Sequence, residues 1–162
     1  MNISKPVKEI KKNIFSSYKN CLKNYFNFKT RSSRYDYWSF LILNTVIASV
    51  LSTLGKFYVI FATLYLLYLL ILIIPSIAIT LRRLHDINKS AWFFIVSFIP
   101  IFNIYFLYVL TKKGDVNENK YGKPVAEDKR CDVIGKRMAI GYYTFIVLLF
   151  GFSLALYMSL TQ

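Results

Sequence analysis

Residues 57–81 form an unbroken run of 25 positions without a charged side chain. At about 1.5 Å of rise per residue, a helix of that length crosses a bilayer hydrocarbon core of about 30 Å. Composition supports the same conclusion: 56% of the 162 residues are hydrophobic, whereas soluble domains carry about 45–50%. The chain therefore reads as one compact, all-α, polytopic membrane protein. Directly after the run stands Leu81-Arg82-Arg83-Leu84-His85-Asp86, with two arginines, the only histidine and a carboxylate. That cluster falls where a membrane helix meets water. It marks a place but names no reaction.

The net charge of +13 arises from 21 Lys and Arg against 8 acids. These cations gather in blocks that flank the apolar runs, a pattern that serves orientation and attraction to anionic lipid rather than nucleic acid. Cys21 and Cys131 lie far apart in polar segments without a CxxC pair, so neither a metal site nor a disulfide is expected. The first 36 residues have no short apolar core followed by a small-residue cleavage site, and no removable signal peptide is expected.

In chain order, residues 7–28 repeat apolar side chains every three to four positions (Val7, Ile10, Ile14, Tyr18, Leu22) with lysines between them. This predicts an amphipathic helix, either in the headgroup layer or packed on the rest of the protein. Residues 38–55 and 57–81 are the first two spans, and Pro75 is a candidate kink. A third apolar run, 91–111, is interrupted near Pro100 and Asn103; a polar basic loop, 112–137, follows, and 138–162 is the last apolar run. The resulting division is a basic amphipathic segment 1–37, a membrane core 38–111, a cytosolic loop 112–137 and a C-terminal span 138–162.

Charge decides the threading. Lys and Arg number nine before Trp38, one at Lys56, three in 82–89 and eight in 112–137. If 91–111 crosses fully, twelve lie inside and nine outside; if it dips in and returns, twenty lie inside and one outside. The positive-inside preference favours the second, so three full spans plus a re-entrant hairpin are expected, with four spans as the alternative. The N-terminus is then cytosolic and Gln162 external.

Three local patterns are similar to one family: residues 28–38 (Phe-Lys-Thr-Arg-Ser-Ser-Arg-Tyr-Asp-Tyr-Trp), then Arg82-Arg83-Leu84-His85-Asp86 with Lys89-Ser90-Ala91-Trp92, then Asn119-Lys120-Tyr121-Gly122. In this order around apolar runs they resemble the small bacterial inner-membrane proteins of domain-of-unknown-function family 805. The likeness covers roughly residues 18–124. Thr30 and Ala91 depart from it, since glycine is usual at both places, and the run after Met138 looks like an addition. The resemblance implies a shared fold and a bacterial inner-membrane location, and brings no activity or cofactor.

Arg31, Arg34, Arg82, Arg83, His85 and Asp86 are the candidate anion-binding residues. Arg82 and Asp86, four apart, share a helix face and are placed to pair. If the four arginines converge, two carboxylates, Asp36 and Asp86, leave positive charge for an anionic headgroup, which guanidinium grips with paired hydrogen bonds. Alternatively the arginines only anchor the span ends. His85 and Asp86 point about 100° apart on a helix and need not touch. Tyr37, Trp38 and Trp92 are read as interface anchors, and Ser90, Asn119, Tyr121 and Gly122 as structural motif positions. No catalytic constellation, metal site or cofactor is expected. The function expected is a membrane scaffold or interaction protein binding anionic lipid or an acidic partner, with a small transporter or channel component as alternative and a lipid-headgroup enzyme weaker still. A second copy or another membrane protein is a further candidate partner; nucleic acid is not.

Overall fold

A computed structural model describes residues 13–126 and 129–160. Among them every regular element is helical: α1 (Ile14–Lys23), α2 (Arg34–Gly55), α3 (Val59–Asp86), a 3-10 helix (Ala91–Phe98), α4 (Pro100–Thr111) and α5 (Lys129–Leu160). Two of these, α2 and α3, are long and apolar enough to cross a membrane.

Local chemistry sets each boundary. Asn13 caps α1 in a reciprocal box with Ser16; the expected helix residues 7–12 lie outside the described residues. Ser33 caps α2, its Oγ accepting from the Asp36 N–H at 3.2 Å and donating to Asp36 Oδ2 at 2.9 Å. The cap moves the start of α2 to Arg34, four residues before the expected span. Likewise α3 does not stop at Leu81 but carries the cluster as its last turn. It also runs through Pro75, which has no N–H for the Ile71 carbonyl. The Tyr25 hydroxyl donates to that carbonyl instead and ties the segment after α1 to α3.

α2 and α3 form an antiparallel hairpin. At its turn a Cβ on Gly55 would lie 3.0 Å from the Ala62 backbone, so glycine permits the close approach. Thr45, Ser49 and Thr53 each donate a hydroxyl to the carbonyl four residues back, which satisfies them within the helix. Asn44, buried, joins three elements: its Oδ1 accepts from Tyr18 OH at 3.1 Å and Tyr68 OH at 2.6 Å, and its Nδ2 donates to the Phe40 carbonyl at 2.6 Å.

The expected interruption of 91–111 is a change of helix type. Eight residues of 3-10 helix end at Ile99, Pro100 opens α4, and the Asn103 amide donates to the Ser97 carbonyl at 2.7 Å across the bend. Ala91 follows α3 by a short link, and the Lys112 carbonyl accepts from Arg83. Residues 91–111 thus leave and return to the same end of the bundle. At about 2.0 and 1.5 Å per residue, neither arm reaches 30 Å.

α5 begins at Lys129, nine residues before the expected span, so the last nine residues of the expected loop 112–137 are helix. Asp132 meets Arg34, Gly135 lies against Tyr35 and Tyr143 against Trp38; α5 therefore runs parallel to α2. A Cβ on Gly135 would stand 2.9 Å from the Tyr35 nitrogen. The core contains Trp38, Phe40, Ile79, Leu84, Val109, Leu110 and Ala139.

Candidate functional site

The start of α2, the end of α3, the end of α4 and the start of α5 meet at one end of the bundle, and the three sequence patterns converge there. Arg31, just before α2, is 8% exposed. A guanidinium has five N–H donors, and Arg31 makes five hydrogen bonds: Nε to Asp86 Oδ1 at 3.0 Å, Nη1 to the carbonyls of Asn117 and Gly122 at 3.0 and 3.1 Å, and Nη2 to the carbonyls of Asp86 and Asp115. One side chain thereby fixes the loop after α4 to the end of α3.

Arg83, fully buried, donates to Asp86 Oδ2 at 2.5 Å, to the Leu110 carbonyl at 3.1 Å and to the Lys112 carbonyl. Arg34 donates to Asp132 and to the Thr111 carbonyl at 3.0 Å. The last carbonyls of a helix have no partner within it and carry its negative pole. Arg83 and Arg34 meet both needs at the C-terminus of α4. Asp86 sits against Gly114: a Cβ there would lie 2.0 Å from Oδ2, so only glycine leaves room for the carboxylate.

The last turn of α3 is closed from the other side. Asn119 Nδ2 donates to the His85 carbonyl at 3.0 Å, and the Asp115 N–H to the Asp86 carbonyl at 2.8 Å. Asn119 and Gly122 exchange backbone hydrogen bonds in a tight turn for which Gly122 takes φ +112°. This turn holds the Tyr121 ring parallel to the His85 ring, centroids 3.8 Å apart. The motif residues Asn119, Tyr121 and Gly122 therefore cover the cluster. Ser90 Oγ accepts from the Trp92 N–H at 3.4 Å and starts the 3-10 helix.

Several expectations change. Asp86 pairs with Arg83 and Arg31, not with Arg82, because Arg82 is directed back along α3 while Arg31, 55 positions earlier, folds onto the carboxylate. Arg82 Nε turns back to the Ala78 carbonyl at 3.3 Å. A third carboxylate, Asp132, takes Arg34, and main-chain carbonyls take donors of Arg31 and Arg83, neither visible as neighbours in sequence, while Nη2 of the buried Arg82 has no hydrogen-bond partner among the described residues. Tyr37 and Trp38 are not interface anchors: both are buried, and Trp38 packs on Tyr37 and Tyr143. Trp92, by contrast, is 77% exposed. Asn44, Asp115, Gly114 and Asp132 were missed; Asn44, a polar residue amid an apolar run, was the detectable signal.

Exposed lysines rim the same end. Lys89 lies 5.8 Å from the centre of the Phe93 ring, Lys112 5.3 Å from Tyr108 and Lys120 5.0 Å from Tyr121. Beside the cluster, between the loop 113–126 and the start of α5, is a cleft of about 490 Å³. Among the described residues no group of His, Cys, Asp or Glu is placed to hold a metal ion. Cys21 and Cys131 are buried and form no disulfide.

A family model described as "Protein of unknown function (DUF805)" matches residues 25–123. The inner membrane protein YhaI of Escherichia coli K12 is 30% identical over 107 residues, covering 65% of this chain and 91% of the relative. The inner membrane protein YhaH of the same strain is 32% identical over 114 residues, covering 65% and 92%. No solved structure matches the chain.

Proposed function

The chain belongs to the DUF805 family, and we propose that it is a multi-pass protein of the bacterial inner membrane serving as a scaffold or interaction protein. α2, α3 and α5 are its three spans, 91–111 is a re-entrant hairpin, and the N-terminus and the arginine cluster face the cytosol. The names of the relatives support the location. The observation that carries the reading is the collection of charge at one end: among the described residues only Lys56 stands at the opposite end of the α2–α3 hairpin. That asymmetry matches the positive-inside preference.

Of the residues expected to grip an anion, Arg31, Arg34 and Arg83 are occupied by protein partners. We therefore assign them to the frame, and the contact with anionic headgroups to the exposed lysines around it, whose ammonium groups lie over aromatic rings. α1 fits an in-plane position beside this rim. Its Phe15 and Leu22 are exposed near Lys19 and Lys23, while Ser17 and Cys21 are buried on the opposite side. A transporter component is the second reading, favoured by the helix break at Ile99-Pro100. Uncharged stretches through α2 and α3 count against it, because paths for ions place ionisable groups within spans.

Single cysteines at positions 29, 88, 117 and 159, in a chain lacking Cys21 and Cys131, test the threading. Protection of 29, 88 and 117 from an impermeant reagent in whole cells, with reaction at 159, is expected. External labelling of position 117 would restore four spans. For the lipid part, native mass spectrometry should find phosphatidylglycerol retained in preference to phosphatidylcholine, and equal retention would remove it.

A further inference from the structure

The cleft beside the cluster is large enough for a small ligand, within the range of about 300–1,000 Å³ usual for such sites. Two of its three carboxylates are paired with arginines, and the third, Asp115, keeps its charge. Asp86 receives Arg31 and Arg83, Asp132 receives Arg34, and Asp115 Oδ2 accepts from Asn119 Nδ2 at 3.0 Å. Lys113 and Lys129 also line the cleft, are exposed, and have no hydrogen bond or ion pair among the described residues. Among the described residues, Arg31, Arg34, Arg83, Lys113 and Lys129 outnumber Asp86, Asp115 and Asp132, and the charge offered to a ligand is positive. The first turn of α5 opens onto the same space, and its N–H groups, unpaired within the helix, add positive potential. Val116, Val125 and Val133 make part of the wall apolar.

We propose that this cleft binds a phosphate ester between Lys113 and Lys129, its organic part resting on the valines. The ester is either a phospholipid headgroup or a soluble phosphate compound. The proposal deepens the reading of this end as the anion-facing side, and moves the specific contact from the arginines to a built cavity.

The test uses the full chain in detergent micelles with two probes, inorganic phosphate titrated by ³¹P NMR and phosphatidylglycerol retained in native mass spectrometry. Three variants are compared with the parent: Lys113→Gln with Lys129→Gln, the charge-neutral filler Val116→Trp, and, as control for net charge, Lys89→Gln with Lys123→Gln. Since charge-assisted hydrogen bonds are lost, the lysine pair should weaken at least one probe by about tenfold. The filler should weaken the lipid probe, and the control pair, which removes the rim lysine Lys89, should leave phosphate unchanged and weaken the lipid probe by less than the cleft pair does. An effect on phosphate alone identifies a soluble ester, and an effect on phosphatidylglycerol a lipid. The proposal is overturned if the parent binds neither probe, or if the control pair weakens binding as much as the cleft pair. In the latter case general attraction of anionic lipid to this end survives, and the cleft alone is refuted.

Discussion

Replacing Arg31 by alanine removes five donors at once and leaves the buried Asp86 carboxylate with Arg83 alone. Breaking a buried ion pair in this way costs about 3–5 kcal/mol. The expected result is a lower melting temperature in micelles, with faster hydrogen exchange at 115–122; unchanged exchange there would show that the loop stands without Arg31. Gly114→Ala should produce the same phenotype, because its Cβ would fall inside the Asp86 carboxylate. Gly141→Ala meets open space in mid-helix and should be neutral or stabilise by up to about 1 kcal/mol. Equal melting of the two alanine variants would contradict the packing assigned to Asp86. At this scale the sequence singled out Arg31, Arg34 and Arg83, which the structure brings to one end of the bundle, but not their partners. Asp132 is 98 residues from Arg34, and a carbonyl carries no signature in sequence at all.

Between elements, the carbonyl freed by Pro75 offers a clean test. Pro75→Ala restores an N–H for Ile71, so the Tyr25 hydroxyl loses its distinctive role. Tyr25→Phe should then cost about 1 kcal/mol in the parent and less in the Pro75→Ala background, a coupling readable in a double-mutant cycle. Additivity of the two changes would dissociate the tyrosine from the proline. Element type was legible wherever uncharged runs are long, as in α2 and α3. Boundaries were not, since they were drawn at the last apolar residue whereas Ser33 and the arginine contacts extend helix into charged sequence. The 3-10 arm of 91–111 was legible only as an interruption, because Pro100 and Asn103 signal a break without saying which helix precedes it.

Across the whole molecule, α5 lies past the region matched by the family model, which ends at residue 123. The Arg31, Arg83 and Asp86 frame with its covering turn lies inside that region. A chain ending at 126 is therefore expected to keep this frame, with fast exchange still absent at 115–122, while it exposes Trp38, which Tyr142 and Tyr143 otherwise cover. In a Trp92→Phe background the fluorescence of Trp38 should shift to the red on truncation; an unshifted spectrum would mean that α5 is not what buries it. By itself the sequence determined the helical membrane architecture and the end at which charge collects, because a run without charge has few places to go and basic blocks orient it. Only the tertiary structure decided that the arginines face inward. A guanidinium at a helix end satisfies lipid phosphate or protein carbonyl by the same hydrogen bonds, and the choice rests on whether a distant carboxylate and the open end of another helix are brought within about 3 Å.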